Sequence, residues 1–476
     1  MKRSVVLLLI TMFSVGCAPK DAGKWIPLFD GHSLAGWKVS EHPNSVRVID
    51  GMIVCEGPRA HAFYVGDSGS ATFRNFELQA EVMTSPGANS GIFFHTAYQE
   101  EGWPEKGYEV QINNTHKGDG DYRELKKTGS LYGIRSLFKA PVKDDEWFSL
   151  HIIVRGQRVV VQVNGMTVVD YIEPEAPVGV DSGPRLSSGT FALQAHDPGS
   201  KVFFRDIKVK PLPDDIDEGT DEQPVVDHYY ALISRLNSQN FPMIDYHVHL
   251  KGTLTLEDAL AKSRRSGIYY GIAVNCGIGF PVNSDEGIYE FLESMQGQPV
   301  FVAMQAEGRE WVNTFSREAI AQFDYVFSDA LTFTDDNGKR TRLWIKEDVD
   351  VQDKQAFMDM YVDRIQSVIN DEPIDIFVNP TFLPEVIEDE YDALWTEERM
   401  LKVIDAAVAN QVAIEINARY RIPSVTFIKL GKTRGVKFAF GTNNGDENFG
   451  NLEYCLDMLE ECGLTNEDMF IPNLDG

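Results

Sequence analysis

The hydrophobic pattern of this 476-residue chain changes in type at one acidic segment, Pro213 to Pro224. Before that segment, short runs of alternating apolar and polar residues are separated by turns. After it, apolar runs alternate with helix-like stretches. The segment itself holds six acidic residues and no strong apolar pattern, which is typical of a solvated, extended linker. The chain therefore predicts two domains, at residues 24–212 and 225–476, joined by a linker at residues 213–224.

The first domain has the pattern of an antiparallel β-sandwich or jelly roll. Its alternating runs include Phe76–Met83, Phe148–Val154, Val159–Val163 and Val202–Lys210. Alternation places every second side chain on the same face of a strand, so that one face can be buried. Asn164-Gly165 lies between two such runs, and this pair is a strong signal for a tight β-hairpin.

The stretch from Asn89 to Ile112 predicts two strands whose polar side chains share a face. Those expected on the shared faces are Asn89, Gly91, Phe93 and His95 in the first strand, and Glu109 and Gln111 in the second. The apolar residues between them, Ile92, Phe94, Val110 and Ile112, point the other way and can fill a core. A face that combines hydrogen-bonding groups with an aromatic ring suits a sugar, and it offers a candidate acid or base. The alternative is the solvated outer face of an ordinary sandwich strand.

Several short motifs, in a fixed order, resemble one known family. They are Leu28–Gly31, Gly36-Trp37, Asn89–Phe94, Tyr108–Gln111, Leu131–Gly133 and Leu193–His196. Together they resemble the 3-keto-disaccharide hydrolase domain family, whose members are concanavalin-like sandwiches. His95 stands at a position where that family often has arginine.

The resemblance implies cleavage of 3-keto-glycosides, which form a class of small carbohydrate substrates. A ketone at C3 acidifies the hydrogen on C2, so a base can remove that proton and the resulting enolate can expel the glycosidic oxygen from C1. Such a site needs a base, a stabiliser for the enolate oxygen and an acid for the leaving group. Glu109 is the candidate base, His196 and His95 are the candidate acid or oxyanion partners, and Asn89, Gln111, Tyr132 and Gln194 are the candidate substrate-binding residues. The alternative is a glycan-binding sandwich without chemistry, in which each histidine is a hydrogen-bonded structural side chain.

The second domain has the pattern of a parallel α/β barrel close to the TIM type. Seven apolar runs, each followed by a helical or irregular stretch, are found at Met243–Leu250, Ile268–Cys276, Val300–Gly308, Tyr325–Phe333, Ile374–Leu383, Val412–Tyr420 and Lys437–Asn444. In such barrels the functional groups lie at the carboxyl ends of the strands. The polar residues expected there are His247, His249, Asn275, Glu307, Asp329, Asn379, Glu415, Asn417 and Asn443.

His247 and His249 are one residue apart on the first of these strands and can bind one metal ion together. The run Asp245–His249 resembles the opening motif of the polymerase-and-histidinol-phosphatase superfamily of metal-dependent phosphoesterases, which uses a distorted seven-stranded barrel. Asparagine replaces the expected later ligands, as in Asn379-Pro380 and Asn443-Asn444, so the usual three-metal site is not predicted. We predict at most one divalent ion, held by His247, His249 and Glu307, or a degenerate barrel retained for binding. An amidohydrolase is the further alternative, because it also begins with His-x-His.

The N-terminus predicts export. Lys2 and Arg3 precede an apolar run from Val5 to Phe13 that is too short to span a bilayer. The sequence then reaches Cys17 through small residues and resembles a bacterial lipoprotein signal over residues 1–17, with plain secretion as the alternative. We expect a periplasmic, outer-membrane or cell-surface protein that contacts the membrane only through a lipid anchor.

Charge and cysteine content reduce the number of function classes that the sequence allows. The net charge of −28 at pH 7 argues against a nucleic-acid partner, which requires basic patches. The four cysteines after Cys17 are scattered and form neither a disulfide framework nor a zinc motif. The sequence thus predicts an exported carbohydrate-active hydrolase or lyase fused to a barrel that resembles metal-dependent hydrolases. The alternative is a glycan-binding sandwich attached to a single-metal barrel hydrolase.

Overall fold

The computed structural model describes residues 23–69, 71–118, 122–175, 178, 185–334, 340–444 and 448–473. The predicted signal segment and Cys17 lie outside these ranges. Among the described residues, no helix is long and apolar enough to cross a membrane.

The described part of the N-terminal region contains thirteen strands. In chain order they are β1 (Ile26–Pro27), β2 (Trp37–Val39), β3 (Val46–Ile49), β4 (Met52–Glu56), β5 (Ala60–Tyr64), β6 (Phe76–Thr84), β7 (Asn89–Thr96), β8 (Tyr108–Asn113), β9 (Phe148–Arg155), β10 (Arg158–Val163), β11 (Met166–Ile172), β12 (Thr190–Ala195) and β13 (Lys201–Pro211). The four alternating runs predicted as strands are β6, β9, β10 and β13.

These strands form two antiparallel sheets that pack face to face. One sheet has the order β11-β10-β9-β6-β13-β4-β3, with β1 beside β13, and the other has the order β2-β5-β12-β7-β8. Alternate side chains of both sheets meet in one apolar core, which includes Ile92, Phe94, Val110 and Ile112 as expected. The predicted all-β sandwich is confirmed.

The hairpin at Asn164-Gly165 joins β10 to β11. Both residues have positive φ, 48° for Asn164 and 79° for Gly165, which is the backbone that a two-residue primed turn requires. Asn164 also accepts a hydrogen bond from the Ser149 amide at 2.9 Å, which ties the turn to β9.

The C-terminal region is built from helices and mostly parallel strands. Its helices are α1 (His228–Ser238), α2 (Leu256–Ser266), α3 (Asp285–Ser294), α4 (Trp311–Thr314), α5 (Arg317–Ile320), α6 (Lys354–Asp371), α7 (Tyr391–Leu394), α8 (Glu397–Asn410), α9 (Val425–Arg434) and α10 (Glu453–Cys462). Its strands are β14 (Ile244–Val248), β15 (Tyr269–Cys276), β16 (Phe301–Ala306), β17 (Tyr325–Ser328), β18 (Thr332–Thr334), β19 (Arg340–Arg342), β20 (Ile376–Phe377), β21 (Ala413–Asn417) and β22 (Phe438–Gly441).

Seven of these strands close into a parallel barrel, and each of them lies within one of the predicted apolar runs. The order is β14-β15-β16-β17-β20-β21-β22, and β22 pairs with β14 through Phe440 and Asp245. The longer helices between the strands begin with side-chain caps; for example, Thr255 and Asp258 form a capping box at the start of α2. The predicted seven-stranded, TIM-like barrel is confirmed.

The linker differs from the expectation of a free, solvated segment. Asn75 Nδ2 donates to the carbonyl of Pro213 at 2.9 Å, and the Gln157 amide donates to the carbonyl of Glu218 at 2.9 Å. Many of its side chains are exposed, but its backbone follows the sandwich surface. The segment has no apolar pattern, so the sequence shows no sign of this docking, in which its main-chain carbonyls accept the hydrogen bonds.

The two domains also contact each other directly. The sandwich covers the amino ends of the barrel strands, where Phe138 packs edge-on against Tyr269 with ring centroids 5.6 Å apart. Buried side chains of the sandwich core and of the barrel interior belong to one continuous apolar cluster. The ammonium of Lys139 lies 2.7 Å from Asp324 across the same contact. The carboxyl ends of the barrel strands therefore point away from the sandwich.

Candidate functional site

The outer face of the five-stranded sheet carries the candidate site. The register aligns His61 of β5 with Gln194 of β12, and Gly91 of β7 with Gln111 of β8. One row further along the strands, Phe93 lies opposite Glu109. Neighbouring strands are about 4.8 Å apart, so these side chains form one continuous surface.

Glu109 occupies a space that the absence of a side chain at Gly91 creates. A Cβ atom at position 91 would lie 2.1 Å from Glu109 Oε1. Gln194 Nε2 donates to the same oxygen at 3.1 Å. The glycine thus lets the carboxylate of β8 lie across β7 and reach a side chain of β12.

The surroundings of Glu109 favour its protonated form. Burial raises its pKa to about 8, and the nearby carboxylate of Glu124 adds to this shift. The hydrogen bond from Gln194 and the charge of Lys126 act in the opposite direction but are weaker. A carboxyl with a pKa close to neutrality is suited to general-base catalysis.

Amide side chains line the face beside Glu109. Gln111 Nε2 donates to Asn89 Oδ1 at 2.8 Å, which fixes both side chains. Gln194 uses its amide nitrogen on Glu109, while its buried Oε1 has no hydrogen-bond partner in the described part of the chain. An unpaired buried acceptor is costly, and it is the group that a ligand hydroxyl would satisfy.

The loop after β8 supplies one wall of the site. Glu124 accepts a hydrogen bond from Tyr122 at 2.8 Å and a longer one from Tyr132 at 3.4 Å. Lys126 places its ammonium 4.4 Å from the centroid of the Tyr132 ring. The backbone amide of Tyr132 donates to the carbonyl of Glu109 at 2.9 Å, so this predicted substrate-binding residue lies beside the candidate base.

His196 lies on the same face, two residues beyond Gln194 along the chain. Its Nδ1 is 2.8 Å from Asp197 Oδ2, which fixes the ring. The half-exposed indole of Trp103 packs against it, with ring centroids 5.3 Å apart. His196 is therefore oriented, partly exposed and close to the amide row.

His95 is placed differently from the expectation. Its φ of 55° and the irregular register at Thr190 and Phe191 of β12 interrupt the alternation at this end of β7. The ring packs against Phe76 of the opposite sheet and uses both nitrogens on backbone groups, the Arg74 carbonyl and the Ser187 amide. The geometry gives His95 a structural position, because the bulge turns it away from the row of Glu109.

A second polar cluster lies at the carboxyl ends of the barrel strands, where the sequence predicts it. His247 Nδ1 is 2.7 Å from Glu415 Oε1, and its Nε2 is 3.4 Å from Gln305 Oε1. Asn275 Nδ2 donates to Gln305 at 3.0 Å and to Glu307 at 2.7 Å. The cluster is thus a hydrogen-bonded chain that crosses several strands.

Two carboxyls of this cluster accept hydrogen bonds from asparagine side chains. Asp329 accepts from Asn379 Nδ2 at 3.1 Å, and Glu307 accepts from Asn275. Burial raises the pKa of both carboxyls, and the charge of Asp329 raises that of Glu307 further. The amides that replace the expected metal ligands are therefore the hydrogen-bond donors to these acids.

The three residues predicted to hold a metal ion are not arranged as a preformed site. His247 has both ring nitrogens close to side-chain oxygens, whereas His249 uses Nδ1 on the Ala273 carbonyl. Its buried Nε2 has no hydrogen-bond partner among the residues that the structure describes. Throughout the described ranges, no three His, Cys, Asp or Glu side chains are placed to share an ion. Binding of one divalent ion by His247, His249 and Glu307 stays a prediction, and no chemical step is assigned to it.

Comparison with known proteins identifies the sandwich. Residues 24–210 match the family model of the 3-keto-alpha-glucoside-1,2-lyase-like domain. The matched residues span the sandwich, which is therefore similar to this family. A 3-keto-disaccharide hydrolase of Bacteroides thetaiotaomicron is 28% identical to the chain over 240 residues, which cover 41% of this chain and 80% of the relative.

Solved structures resemble each half of the chain at low scores. A Parabacteroides distasonis protein provisionally named a glycosyl hydrolase is 24% identical, with a TM-score of 0.33, and covers 40% of this chain and 94% of its own. Histidinol phosphate phosphatase from Lactococcus lactis is 13% identical, with a TM-score of 0.34, and covers 47% of this chain and 95% of its own. At these scores neither structure assigns an activity.

The lyase-like domain contains a site residue that the sequence patterns did not single out. His61 is fully buried, and neither ring nitrogen has a hydrogen-bond partner in the described part of the chain. Its ring lies 5.4 Å from Phe93 and 5.6 Å from Trp103, and burial lowers its pKa to about 4. The alternation of His61 and Phe63 in β5 is a weak signal, and only strand pairing places His61 beside Gln194.

Proposed function

We propose that the lyase-like domain cleaves the glycosidic bond of 3-keto-glycosides, with Glu109 as the general base. The observation that supports this most is the environment of Glu109. Its carboxyl has a pKa of about 8 and accepts a hydrogen bond from the amide of Gln194, whose own oxygen has no partner in the described part of the chain. A structural carboxylate on a sandwich surface would not need the space left by Gly91.

The proposed reaction begins with proton removal from C2. Glu109 takes the proton, the electron pair of the C–H bond forms the C2–C3 double bond of an enolate, and negative charge develops on the C3 oxygen. The enolate then re-forms the ketone and expels the glycosidic oxygen from C1, which takes up a proton as it leaves. Water adds to the resulting unsaturated ketone, so the net reaction is hydrolysis, or the unsaturated product is released and the outcome is that of a lyase.

The neighbouring residues have matching proposed roles. His196, oriented by Asp197, is the proposed donor to the leaving oxygen. Gln194 and Tyr132, both beside Glu109, are proposed to hold the hydroxyls and the enolate oxygen. Asn89 and Gln111 fix one another and extend the amide row for a second sugar. His95 has no direct role in this scheme, because its ring is turned to the core.

The experiment is incubation of the full chain with 3-keto-disaccharides, with and without a chelator, followed by product analysis. Release of a free sugar and a 3-keto sugar, lost in Glu109→Gln, is the expected result. Turnover that persists in Glu109→Gln would move the chemistry away from this face. Sensitivity to the chelator would show a metal requirement.

A second candidate function is glycan binding without turnover. The indole of Trp103 is 45% exposed and stands beside His61 and His196, which is the arrangement of an aromatic sugar platform. Binding of unoxidised disaccharides at the same affinity as 3-keto forms, with no product from either, would favour this function.

We also propose that the protein is exported and anchored by a lipid at Cys17. The short apolar run before this cysteine supports the proposal. The native protein is expected in the detergent phase after phase partition, and Cys17→Ala in the aqueous phase. Recovery of mature protein with a free Cys17 thiol would contradict it.

A further inference from the structure

A fully buried lysine connects the candidate active site to the barrel domain. Lys126 lies in the loop that forms one wall of the site, and its side chain is almost completely removed from solvent, with the residue only 1% exposed. A buried ammonium must be held by polar partners, because transfer of a charge from water is costly. Its nearest carboxylate, that of Glu124, is 3.9 Å away.

The closest hydrogen-bond partner of Lys126 comes from the barrel. Lys126 Nζ donates to Asn240 Oδ1 at 2.8 Å. Asn240 lies between α1 and β14, at the amino ends of the barrel strands, and its Nδ2 donates in turn to the Arg123 carbonyl at 2.7 Å. One side chain of the barrel domain therefore holds both the backbone and the buried cation of the site loop.

The backbone of Asn240 fits this role. Its φ of 57° is in the left-handed region, where asparagine is tolerated better than most residues. This conformation, which is uncommon outside glycine, occurs at the point where the barrel contacts the loop.

The held loop faces Glu109 directly. Four charged or titratable side chains interact electrostatically with Glu109, namely Glu124, Lys126, Tyr122 and Tyr132. All four belong to the loop that Asn240 holds. Lys126 is the cation among them, and its charge favours the ionised form of Glu109 that a base requires.

We propose that the barrel completes the active site of the lyase-like domain, with Asn240 as a positioning residue that fixes Lys126 beside Glu109. This inference rests on the proposed function of the sandwich. It assigns the barrel a role that does not depend on chemistry at its own polar cluster. Asn240 acts through Lys126 and makes no contact with the reacting atoms.

The interface offers a matched control. Lys139 pairs with Asp324 across the same domain contact, at 2.7 Å, but it is not among the groups that act on Glu109. Lys139→Ala therefore removes an interdomain polar contact of comparable length that does not involve Lys126. A general loosening of the interface would change the activity of Lys139→Ala and of an Asn240 variant alike.

The test compares four full-chain variants by the pH dependence of kcat/KM on a 3-keto-disaccharide. Asn240→Gly keeps the left-handed backbone and removes both hydrogen bonds, whereas Asn240→Asp keeps the acceptor for Lys126. We expect Asn240→Gly to lower kcat about 10-fold, since small misplacements of catalytic groups have effects of this order. We also expect the rising limb of kcat/KM against pH to move to higher pH in this variant, because a displaced Lys126 no longer favours the Glu109 carboxylate. Lys139→Ala should retain the wild-type midpoint, whereas Asn240→Asp keeps Lys126 in place and should recover most of the wild-type kcat.

Lys126→Met serves as the second variant and should reproduce the profile of Asn240→Gly if the latter does not fold. One outcome overturns the inference alone: Glu109→Gln abolishes turnover, but Asn240→Gly, Lys126→Met and Lys139→Ala all have the same pH profile. If Glu109→Gln itself retains wild-type turnover, the proposed function fails and the inference falls with it. A shifted midpoint in Asn240→Gly and Lys126→Met, with the wild-type midpoint in Lys139→Ala, would establish the positioning role.

Discussion

Gly91 determines whether Glu109 can occupy its position on the sheet face. A methyl group at residue 91 would overlap the carboxylate, whose Oε1 would be 2.1 Å from the new Cβ. The sequence places Gly91, Glu109 and Gln111 on shared faces by alternation, and the structure agrees. Alternation could not predict His95, because a positive φ turns that residue at the strand end.

Gly91→Ala is expected to lower kcat at least about 10-fold while the domain remains folded, since the displaced carboxylate loses its alignment. Gly91 does not have a positive φ, so alanine causes no backbone strain there. Steady-state kinetics with circular dichroism checks this, and Gly287→Ala in α3 is the control for a glycine far from the face. Wild-type kcat in Gly91→Ala would mean that Glu109 tolerates displacement.

His61→Phe tests whether the unpaired ring nitrogens of His61 serve a ligand. Phenylalanine keeps the packing against Phe93 and Trp103, and it breaks no hydrogen bond found in the described part of the chain. Stability should therefore stay unchanged or rise, whereas KM should rise about 10-fold through loss of one hydrogen bond to the substrate. Unchanged KM with raised Tm would assign His61 a purely structural role.

At the scale of the elements, the sequence patterns predict strand existence better than strand pairing. The runs chosen by alternation became β6, β9, β10 and β13, and the seven barrel runs each contain one strand. The sequence alone did not show that β5 lies beside β12, because pairing between distant strands depends on register across the whole sheet. That pairing brings His61 to Gln194, so the sequence alone does not predict the complete site.

The β10–β11 hairpin offers a test of turn chemistry at the same scale. Gly165 has a φ of 79°, so Gly165→Val should lower the free energy of unfolding by about 1–3 kcal/mol through backbone strain. Gly165→Asn should have a smaller effect, because asparagine tolerates this conformation. Denaturant unfolding measures both, and kcat should not change. Equal stability of the two variants would show that the backbone conformation of the turn does not determine the loss of stability.

For the whole molecule, the domain contact is the main difference from the sequence analysis. The composition of residues 213–224 indicates a solvated, extended linker, whereas Phe138, Lys126 and Lys139 contact the barrel directly. These residues are unremarkable in the sequence, since each is a single side chain within a loop. Only the fold shows that they face the other domain.

The sandwich expressed alone, as residues 23–224, should therefore have a lower Tm than in the full chain. Separation exposes the apolar surface around Phe138 and leaves Lys126 without Asn240. Calorimetry of both forms, with the isolated barrel as a control, measures the difference. An unchanged Tm for the isolated sandwich would support two independent folding units instead.

The pH dependence of kcat/KM in wild type and Glu109→Gln decides whether Glu109 is the base of a 3-keto-glycoside cleaving site. The carboxylate form is the base and burial raises its pKa to about 8, so wild-type kcat/KM should rise with pH through about 8 and then level off. Glu109→Gln should lower kcat by about 10²-fold or more, with little change in KM, and should lose this limb. A Glu109→Gln variant with wild-type rates and the same rising limb would exclude Glu109 as the base.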